Sequence, residues 1–173
     1  MGATENVPPG SNPFKARYMM SDLSRLAKQF DIPFMSGFPE KFPFNTLPAQ
    51  RILTAVKNEF PDKLVLLSRA FWNRAWGQGI DIGKDEEVLQ CLQSVFTNDE
   101  IKGLMQKSEG SAVKEELKRT TKEAVASGSF GAPWIIVKNE SKTESFWGSD
   151  RFEAISFFLD KPWLGPNPKI SKI

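Results

Sequence analysis

FGAPWIIVKNESKTESFWGSDR, residues 130–151, is the stretch that decides the fold. Residues 133–137 are rich in β-branched and aromatic side chains and predict a strand, residues 139–142 predict a turn, and residues 143–147 predict a second strand. A helix is expected next, with Ser149 as its N-cap. Two strands are too few to form a stable sheet alone, so we expect other structure to complete the hairpin.

The residues before the hairpin have apolar side chains at helical spacing. Residues 1–17, rich in proline and glycine, are interpreted as a loop or linker, and residues 31–47 as an irregular segment that buries aromatic rings. Residues 20–127 are otherwise expected to be almost wholly helical, with helices at 21–30, 48–60, 61–77, 85–96, 97–105 and 111–128. Strand, strand and helix after such a region is the order of the C-terminal half of a thioredoxin-like domain.

The composition limits the class of protein. The chain has 173 residues, of which 40% are hydrophobic, so it is long enough to bury a core. The formal net charge is only +2, with basic and acidic residues interspersed, which argues against nucleic acid as a partner. No apolar run approaches the roughly 20 residues of a membrane span, and the first residues do not resemble a secretion signal. We therefore expect a chain that is neither secreted by that route nor inserted in a membrane.

Cysteine and histidine usage excludes several kinds of chemistry. Cys91 is the only cysteine, so the chain cannot form an internal disulfide or a Cys-x-x-Cys redox pair. Its position in an apolar helical run predicts a buried side chain with no catalytic role. Histidine is absent, which removes the usual base of Ser-His and Cys-His systems and the commonest zinc ligand.

Three short motifs, in this order along the chain, carry a family resemblance: NVPPG (6–10), FGAPW (130–134) and GSDR (148–151). Together they resemble the kappa class of glutathione transferases, and the resemblance extends over nearly all 173 residues.

The resemblance implies an α/β fold that is dominated by helices. Residues 1–17 and 119–173 are expected to form a thioredoxin-like domain, N-terminally truncated here, and residues 18–118 an inserted all-α domain. The implied activity is conjugation of the glutathione thiolate to small electrophiles. Glutathione is then the co-substrate, no metal is needed, and the chain is expected to form a homodimer.

The resemblance also implies residues that bind glutathione. Ser149 and Asp150 would hold its γ-glutamyl end, helped by the helix N-terminus. Pro133 would be in the cis form, so that the backbone of Ala132 pairs with the cysteinyl backbone. Asn6 would bind a carboxylate or amide of the ligand. From the residues alone, Ser149 and Asp150 are equally consistent with an ordinary helix start, and Pro133 with an edge-strand turn.

Other residues are weaker candidates. Lys15 is a possible partner of the glycyl carboxylate. Trp72, Trp76 and the phenylalanines of residues 34–44 would line an apolar pocket for the electrophile, although core packing also accounts for most of them.

No catalytic residue is assigned within the chain. In kappa-class enzymes a serine between a first strand and helix activates the thiol, and that segment is expected upstream of Met1. Ser11 and Ser21 follow no strand pattern, so neither is assigned. The resulting expectations are impaired activity and exposed apolar faces on the hairpin and on the helix at 150–160.

Two other functions stay open. One is a glutathione-dependent isomerase of the 2-hydroxychromene-2-carboxylate type, and the other is a non-enzymatic glutathione-binding or dimerising protein. A DsbA-like disulfide oxidoreductase would require a cysteine pair that the chain lacks. The last residues, Ser171-Lys172-Ile173, differ from the peroxisomal signal Ser-Lys-Leu only in the final residue, so a peroxisome, or else a mitochondrion, is the expected location.

Overall fold

The computed structural model describes residues 4, 5, 7, 9–34, 37, 39 and 41–166. The chain divides into two compact units. The helical unit comprises Pro8–Thr120, and the hairpin unit comprises the segment from Thr121 onward together with the first seven residues. The domain limits drawn from the sequence, at 17/18 and 118/119, stay a prediction.

Seven α-helices and two strands form the described part of the chain, and their order matches the expected helices followed by a hairpin. They are α1 (Pro13–Gln29), α2 (Leu47–Glu59), α3 (Leu64–Trp72), α4 (Asp85–Gln93), α5 (Asn98–Ser108), α6 (Ser111–Ala126), β1 (Trp134–Lys138), β2 (Thr143–Trp147) and α7 (Phe152–Phe158). The helix expected at 61–77 is broken up, since a 3₁₀ turn at Pro61–Lys63 precedes α3 and a π turn at Asn73–Gly77 follows it.

The start of α1 corrects the interpretation of residues 1–17 as a loop or linker. Asn12 accepts hydrogen bonds through Oδ1 from the backbone N–H groups of Phe14 (3.0 Å) and Lys15 (3.2 Å). Pro13 at the first helical position has no N–H to leave unsatisfied. These two residues form a helix N-cap, so α1 begins eight residues earlier than expected.

The core of the helical unit is a single cluster of buried side chains from α2 to α6. Its largest fully buried members are Phe71, Ile52, Leu67, Leu92, Leu104, Val56 and Val88. Cys91 belongs to the same cluster, which confirms the prediction that it is buried. Each of these side chains contributes roughly 1.5–3 kcal/mol by leaving water.

The capping box expected at the start of α5 is confirmed. The carboxylate of Glu100 accepts a hydrogen bond from the N–H of Thr97 at 2.8 Å, and Glu100 donates its own N–H to Thr97 Oγ1 at 3.5 Å. Lys63 pairs with Glu100 at 3.0 Å and lies over the rings of Phe60 and Phe96. These contacts fix α5 against the 3₁₀ turn before α3.

The hairpin has the turn that the sequence predicts. Asn139 accepts hydrogen bonds through Oδ1 from the N–H groups of Ser141 (3.0 Å) and Lys142 (2.8 Å). Its Nδ2 donates to the carbonyl of Phe158 at 3.3 Å, which ties the turn to α7. Strands β1 and β2 are antiparallel and form the only sheet of the described chain.

Few apolar side chains of the described hairpin unit are fully buried, as expected for a hairpin with one helix. Ile155 is the one buried hydrophobic side chain among the described residues of this unit. Ile136 on β1 and Phe152 on α7 are about half exposed, and Phe157 is 88% exposed. Among the described residues, no helix is both long and apolar enough to cross a membrane.

Candidate functional site

The two segments that are predicted to bind glutathione meet at the open end of the hairpin. Trp134, the first residue of β1, pairs with Trp147, the last residue of β2. The chain before β1 and the chain after β2 therefore lie at the same end of the hairpin. The N–H of Gly148 donates to the carbonyl of Pro133 at 3.1 Å and closes this end. Ala132 is thus placed beside the turn that contains Ser149.

The backbone of Ala132 is available to a ligand. The peptide bond between Ala132 and Pro133 is cis, as the resemblance implied. Ala132 is exposed, and within the described part of the chain its N–H and carbonyl make no hydrogen bond. One free donor and one free acceptor on the same residue can pair with an extended peptide backbone, as an added strand would.

Gly148 shapes the turn that presents Asp150. Its φ is +112°, a conformation that disfavours any side chain, and a Cβ atom there would lie 2.5 Å from Asp150 Oδ1. The other carboxylate oxygen of Asp150 pairs with Arg151 Nη1 at 3.0 Å. Asp150 is otherwise exposed, so its carboxylate can accept further hydrogen bonds.

Ser149 is not the N-cap of α7, which corrects the sequence interpretation. The helix begins at Phe152, its N-cap is Arg151, and no side chain caps it. The left-handed conformation of Gly148 adds a turn over residues 148–150 before the helix can start. Helix α7 has only seven residues, so a helix dipole is not part of the account of this site.

An aromatic cluster borders the same end of the hairpin, and sequence reasoning missed it. The Phe130 ring lies 5.7 Å from that of Trp134 and 4.9 Å from that of Trp147, centroid to centroid. Gly131 allows this approach, because a Cβ atom there would lie 2.7 Å from Trp147 Nε1. The placement of an aromatic residue next to each glycine, in FG and in WG, was the available signal.

The remaining predicted residues belong to other parts of the chain. Lys15 is on α1, in the helical unit. Trp72 is exposed at the end of α3, whereas Trp76 packs with Phe42 and Phe44 at ring distances of 5.5 and 6.4 Å. Asn6 lies outside the described residues.

Within the described chain, no serine lies in a turn that leads from a parallel strand into a helix. Ser11 ends a 3₁₀ turn and Ser21 is inside α1. Burial raises the pKa of the Cys91 thiol, which opposes thiolate formation. In the part of the chain that is described, no group of His, Cys, Asp and Glu side chains is arranged to hold a metal ion.

Comparisons with known proteins place the chain in a family. A family model described as a DsbA-like thioredoxin domain matches residues 1–160. Glutathione S-transferase kappa 1 of Homo sapiens is 35% identical over 170 residues, which cover 94% of this chain and 74% of the human protein. The chain belongs to the kappa-class glutathione transferases, within the DsbA-like thioredoxin family.

Two further relatives of this kappa-class chain extend the comparison. The 2-hydroxychromene-2-carboxylate isomerase of Sphingobium xenophagum is 27% identical over 145 residues, covering 84% of the chain and 68% of the isomerase. A solved structure of a 2-hydroxychromene-2-carboxylate isomerase superposes with a TM-score of 0.68 at 18% identity, over 90% of the chain and 71% of that structure. The second likeness shows the fold alone. The predicted fold class, thioredoxin-like and dominated by helices, is confirmed together with the family resemblance.

Proposed function

We propose that this kappa-class chain binds glutathione at the end of the hairpin and serves in transfer of its thiolate to small electrophiles. One observation carries the proposal. The Gly148–Pro133 hydrogen bond holds the free backbone of Ala132 next to the turn of Ser149 and Asp150. Membership of the kappa class supports glutathione as the ligand.

The chemistry of these groups suits an extended γ-glutamyl peptide. The exposed carboxylate of Asp150 can pair with the ligand's α-ammonium group, and the hydroxyl of Ser149 can donate to its α-carboxylate. The N–H and carbonyl of Ala132 can pair with the cysteinyl backbone. Asn6 completes the set for the remaining amide or carboxylate, and this role stays a prediction. A contact between two charged groups is stronger than one in which a single partner is charged, so Asp150 should contribute most.

Activation of the thiol needs a group that the described residues do not present at this site. We propose that a serine hydroxyl donates to the thiolate, as the kappa-class resemblance implies, and that the rate of conjugation depends on this donor.

Calorimetry with reduced glutathione tests the binding site. Asp150→Asn should weaken binding by about 10- to 100-fold, as expected for loss of one charged hydrogen bond. Ser149→Ala should weaken it by less. Glu153→Gln and Ser145→Ala change similar exposed groups on α7 and β2 and should leave affinity unchanged. Equal affinity in Asp150→Asn and in the unsubstituted chain would refute this site.

Turnover separates the possible activities. A chain extended by the strand-helix segment of a kappa-class relative should conjugate a halogenated aromatic electrophile much faster than the 173-residue chain. The relationship to the Sphingobium xenophagum protein favours one other enzyme function, isomerisation of 2-hydroxychromene-2-carboxylate. Isomerisation without conjugation would select that function. Glutathione binding without either reaction in the extended chain would identify a non-enzymatic binding protein.

Assembly and location complete the proposal. We propose a homodimer, because the kappa class is dimeric in general. The C-terminal Ser171-Lys172-Ile173 lies outside the described residues, and peroxisomal import stays a prediction of the sequence, with a mitochondrion as the other location. Removal of these three residues from a fluorescent fusion should abolish import, and unchanged peroxisomal fluorescence would contradict the role of this signal.

A further inference from the structure

Helix α1 is partly buried on one side and exposed on the other. None of its 17 residues, all of which are described, is fully buried, whereas each of α2 to α7 buries at least one side chain. The partly buried apolar side chains recur at helical spacing and form the inner side: Ala16, Met19, Met20, Leu23 and Ala27. The opposite side of the helix is free to contact something else.

The exposed side of α1 combines aromatic rings with basic groups. At about 100° per residue, five exposed residues fall within an arc of roughly 100° around the helix. They form the outer face of α1, which consists of Phe14, Arg17, Tyr18, Arg25 and Lys28. Phe14 is 81% exposed and Tyr18 is 65% exposed, so both rings protrude into water.

Positive charge is concentrated on this helix. Lys15 and the three bases of the outer face stand against one acid, Asp22, which gives α1 a net charge of +3. The whole chain has a net charge of only +2, so the remainder of the chain is slightly acidic. Asp22 accepts a hydrogen bond from Arg25 at 2.6 Å, whereas Arg17 and Lys28 have no ion-pair partner among the described residues.

We propose that the outer face of α1 docks on the surface of an anionic phospholipid membrane, with the helix axis parallel to that surface. The basic side chains bind lipid phosphates, and the rings of Phe14 and Tyr18 enter the headgroup layer, where such rings are favoured. A helix of 17 residues is about 25 Å long, so all of these side chains reach the same surface. Docking of this kind needs no helix that crosses the membrane.

The shape of the face favours a membrane over an acidic peptide or a nucleic acid strand. The outer face is convex, and the backbone N–H and carbonyl groups within α1 are used by the helix itself, so neither partner finds a backbone edge to pair with. The neighbouring depression, lined by Phe14, Lys15, Tyr18, Met19 and Asp22, is shallow and includes the one acid of the helix. A flat array of negative headgroups can contact the rings and the bases of a convex face at the same time.

Cosedimentation of the full chain with lipid vesicles tests the proposal. Vesicles of phosphatidylcholine with about 30% phosphatidylserine should bind the chain at least about 10-fold more tightly than vesicles of phosphatidylcholine alone. The double substitution Arg17→Gln with Lys28→Gln should weaken binding to the anionic vesicles by about 10-fold or more, and 1 M salt should do the same. Phe14→Ala should weaken it by about 5-fold, because one ring no longer enters the headgroup layer.

Matched variants distinguish the outer face from general charge and apolarity. Lys118→Gln with Lys122→Gln makes the same change in net charge on the exposed side of α6, and Phe157→Ala removes an equally exposed ring from α7, so both should leave vesicle binding unchanged. Circular dichroism should show equal helix content in all variants.

Three results would overturn the proposal. The first is equal binding to neutral and anionic vesicles, and the second is an equal loss of binding in the two double variants. The third is binding to polyglutamate that depends on Arg17 and Lys28 without binding to anionic vesicles, which would replace the membrane by an acidic protein partner. Each of these results leaves the proposed glutathione site to be judged by calorimetry alone.

Discussion

The helical unit and the hairpin unit differ in how many apolar side chains they bury. The first has a continuous core from α2 to α6, and the second has Ile155 as its one buried hydrophobic residue in the described range. Both contain regular helices with similar local signals. The difference therefore lies in packing, and it indicates that the helical unit is stable by itself while the hairpin unit, which holds the candidate site, needs covering structure.

Removal of a large side chain from each unit should show the difference in packing most clearly. Phe71→Ala empties a position that is 2% exposed and should lower the free energy of unfolding by about 3–5 kcal/mol. Phe157→Ala removes the same ring from an exposed position and should change it by less than about 0.5 kcal/mol. Urea unfolding followed by fluorescence measures both effects.

The thiol of Cys91 provides a probe for the helical unit alone. It is buried in α4, and burial raises its pKa, so alkylation should be slow until this unit opens. Phe71→Ala should accelerate alkylation and Phe157→Ala should not. Equal acceleration by both substitutions would show that the two regions unfold together and would remove the contrast between them.

A substitution in the hairpin unit should weaken glutathione binding without changing the stability of the helical core. Gly148→Ala would place a Cβ atom 2.5 Å from Asp150 Oδ1 and strain a backbone with φ of +112°. Displacement of the carboxylate should weaken glutathione binding by about 10-fold, or about 1.4 kcal/mol. Calorimetry measures the affinity, and protection of Cys91 should stay unchanged.

Gly103 offers the matched control in the helical unit. It lies within α5, and a Cβ atom there would meet no neighbour within 4 Å. Gly103→Ala should therefore stabilise the helix by about 0.5–1 kcal/mol and leave glutathione binding unchanged. A loss of affinity in this variant would mean that the assay reports general stability and not the turn at Gly148.

In both units, the features that could be predicted from the sequence are those that depend on short-range hydrogen bonds. The Asn139 turn and the Thr97–Glu100 capping box depend on hydrogen bonds within four residues, so local patterns identify them. The N-cap role of Asn12 was missed because asparagine before proline is equally typical of a turn. These errors concern the first residue of a helix, where local preferences compete.

The candidate site could be predicted only in part. The motifs around Ala132 and Asp150 identify its segments, but neither shows that a hydrogen bond from Gly148 joins them. Ser149 was assigned as an N-cap because the sequence does not show that Gly148 adopts a left-handed conformation. The packing of Phe130 on Trp147 depends on strand register, which is a tertiary property.

A smaller effect is expected from the cap of α5. Thr97→Ala removes the side-chain acceptor for the N–H of Glu100 and should cost about 1 kcal/mol in the helical unit. Thr120→Ala removes a hydroxyl that donates to the carbonyl of Glu116 within α6 and should be near neutral. Thermal or urea unfolding measures both, and equal losses would show that the cap does not stabilise the unit.

The smallest effect is a difference in acid sensitivity between the two units. Hydrogen bonds from Arg119 hold the pKa of Glu116 below its ordinary value of 4.5, and the pKa of Glu100 is lowered by the Thr97 N–H and Lys63. A hydrogen bond from Lys114 lowers the pKa of Glu109 in the same way. All three carboxyl groups belong to the helical unit.

The sign follows from the lowered values. Folding favours the ionised carboxylates, so their contribution is fully present above pH 4.5 and is lost as the pH falls through the lower, folded pKa values. Urea unfolding between pH 6 and pH 3 should show this decline, and Glu116→Gln should make it shallower. Glu115→Gln, one residue away on the exposed side of α6, should not. Because these groups are at least partly exposed to solvent, the effect should shrink in 1 M salt, and a decline that is independent of salt would assign acid sensitivity to other groups.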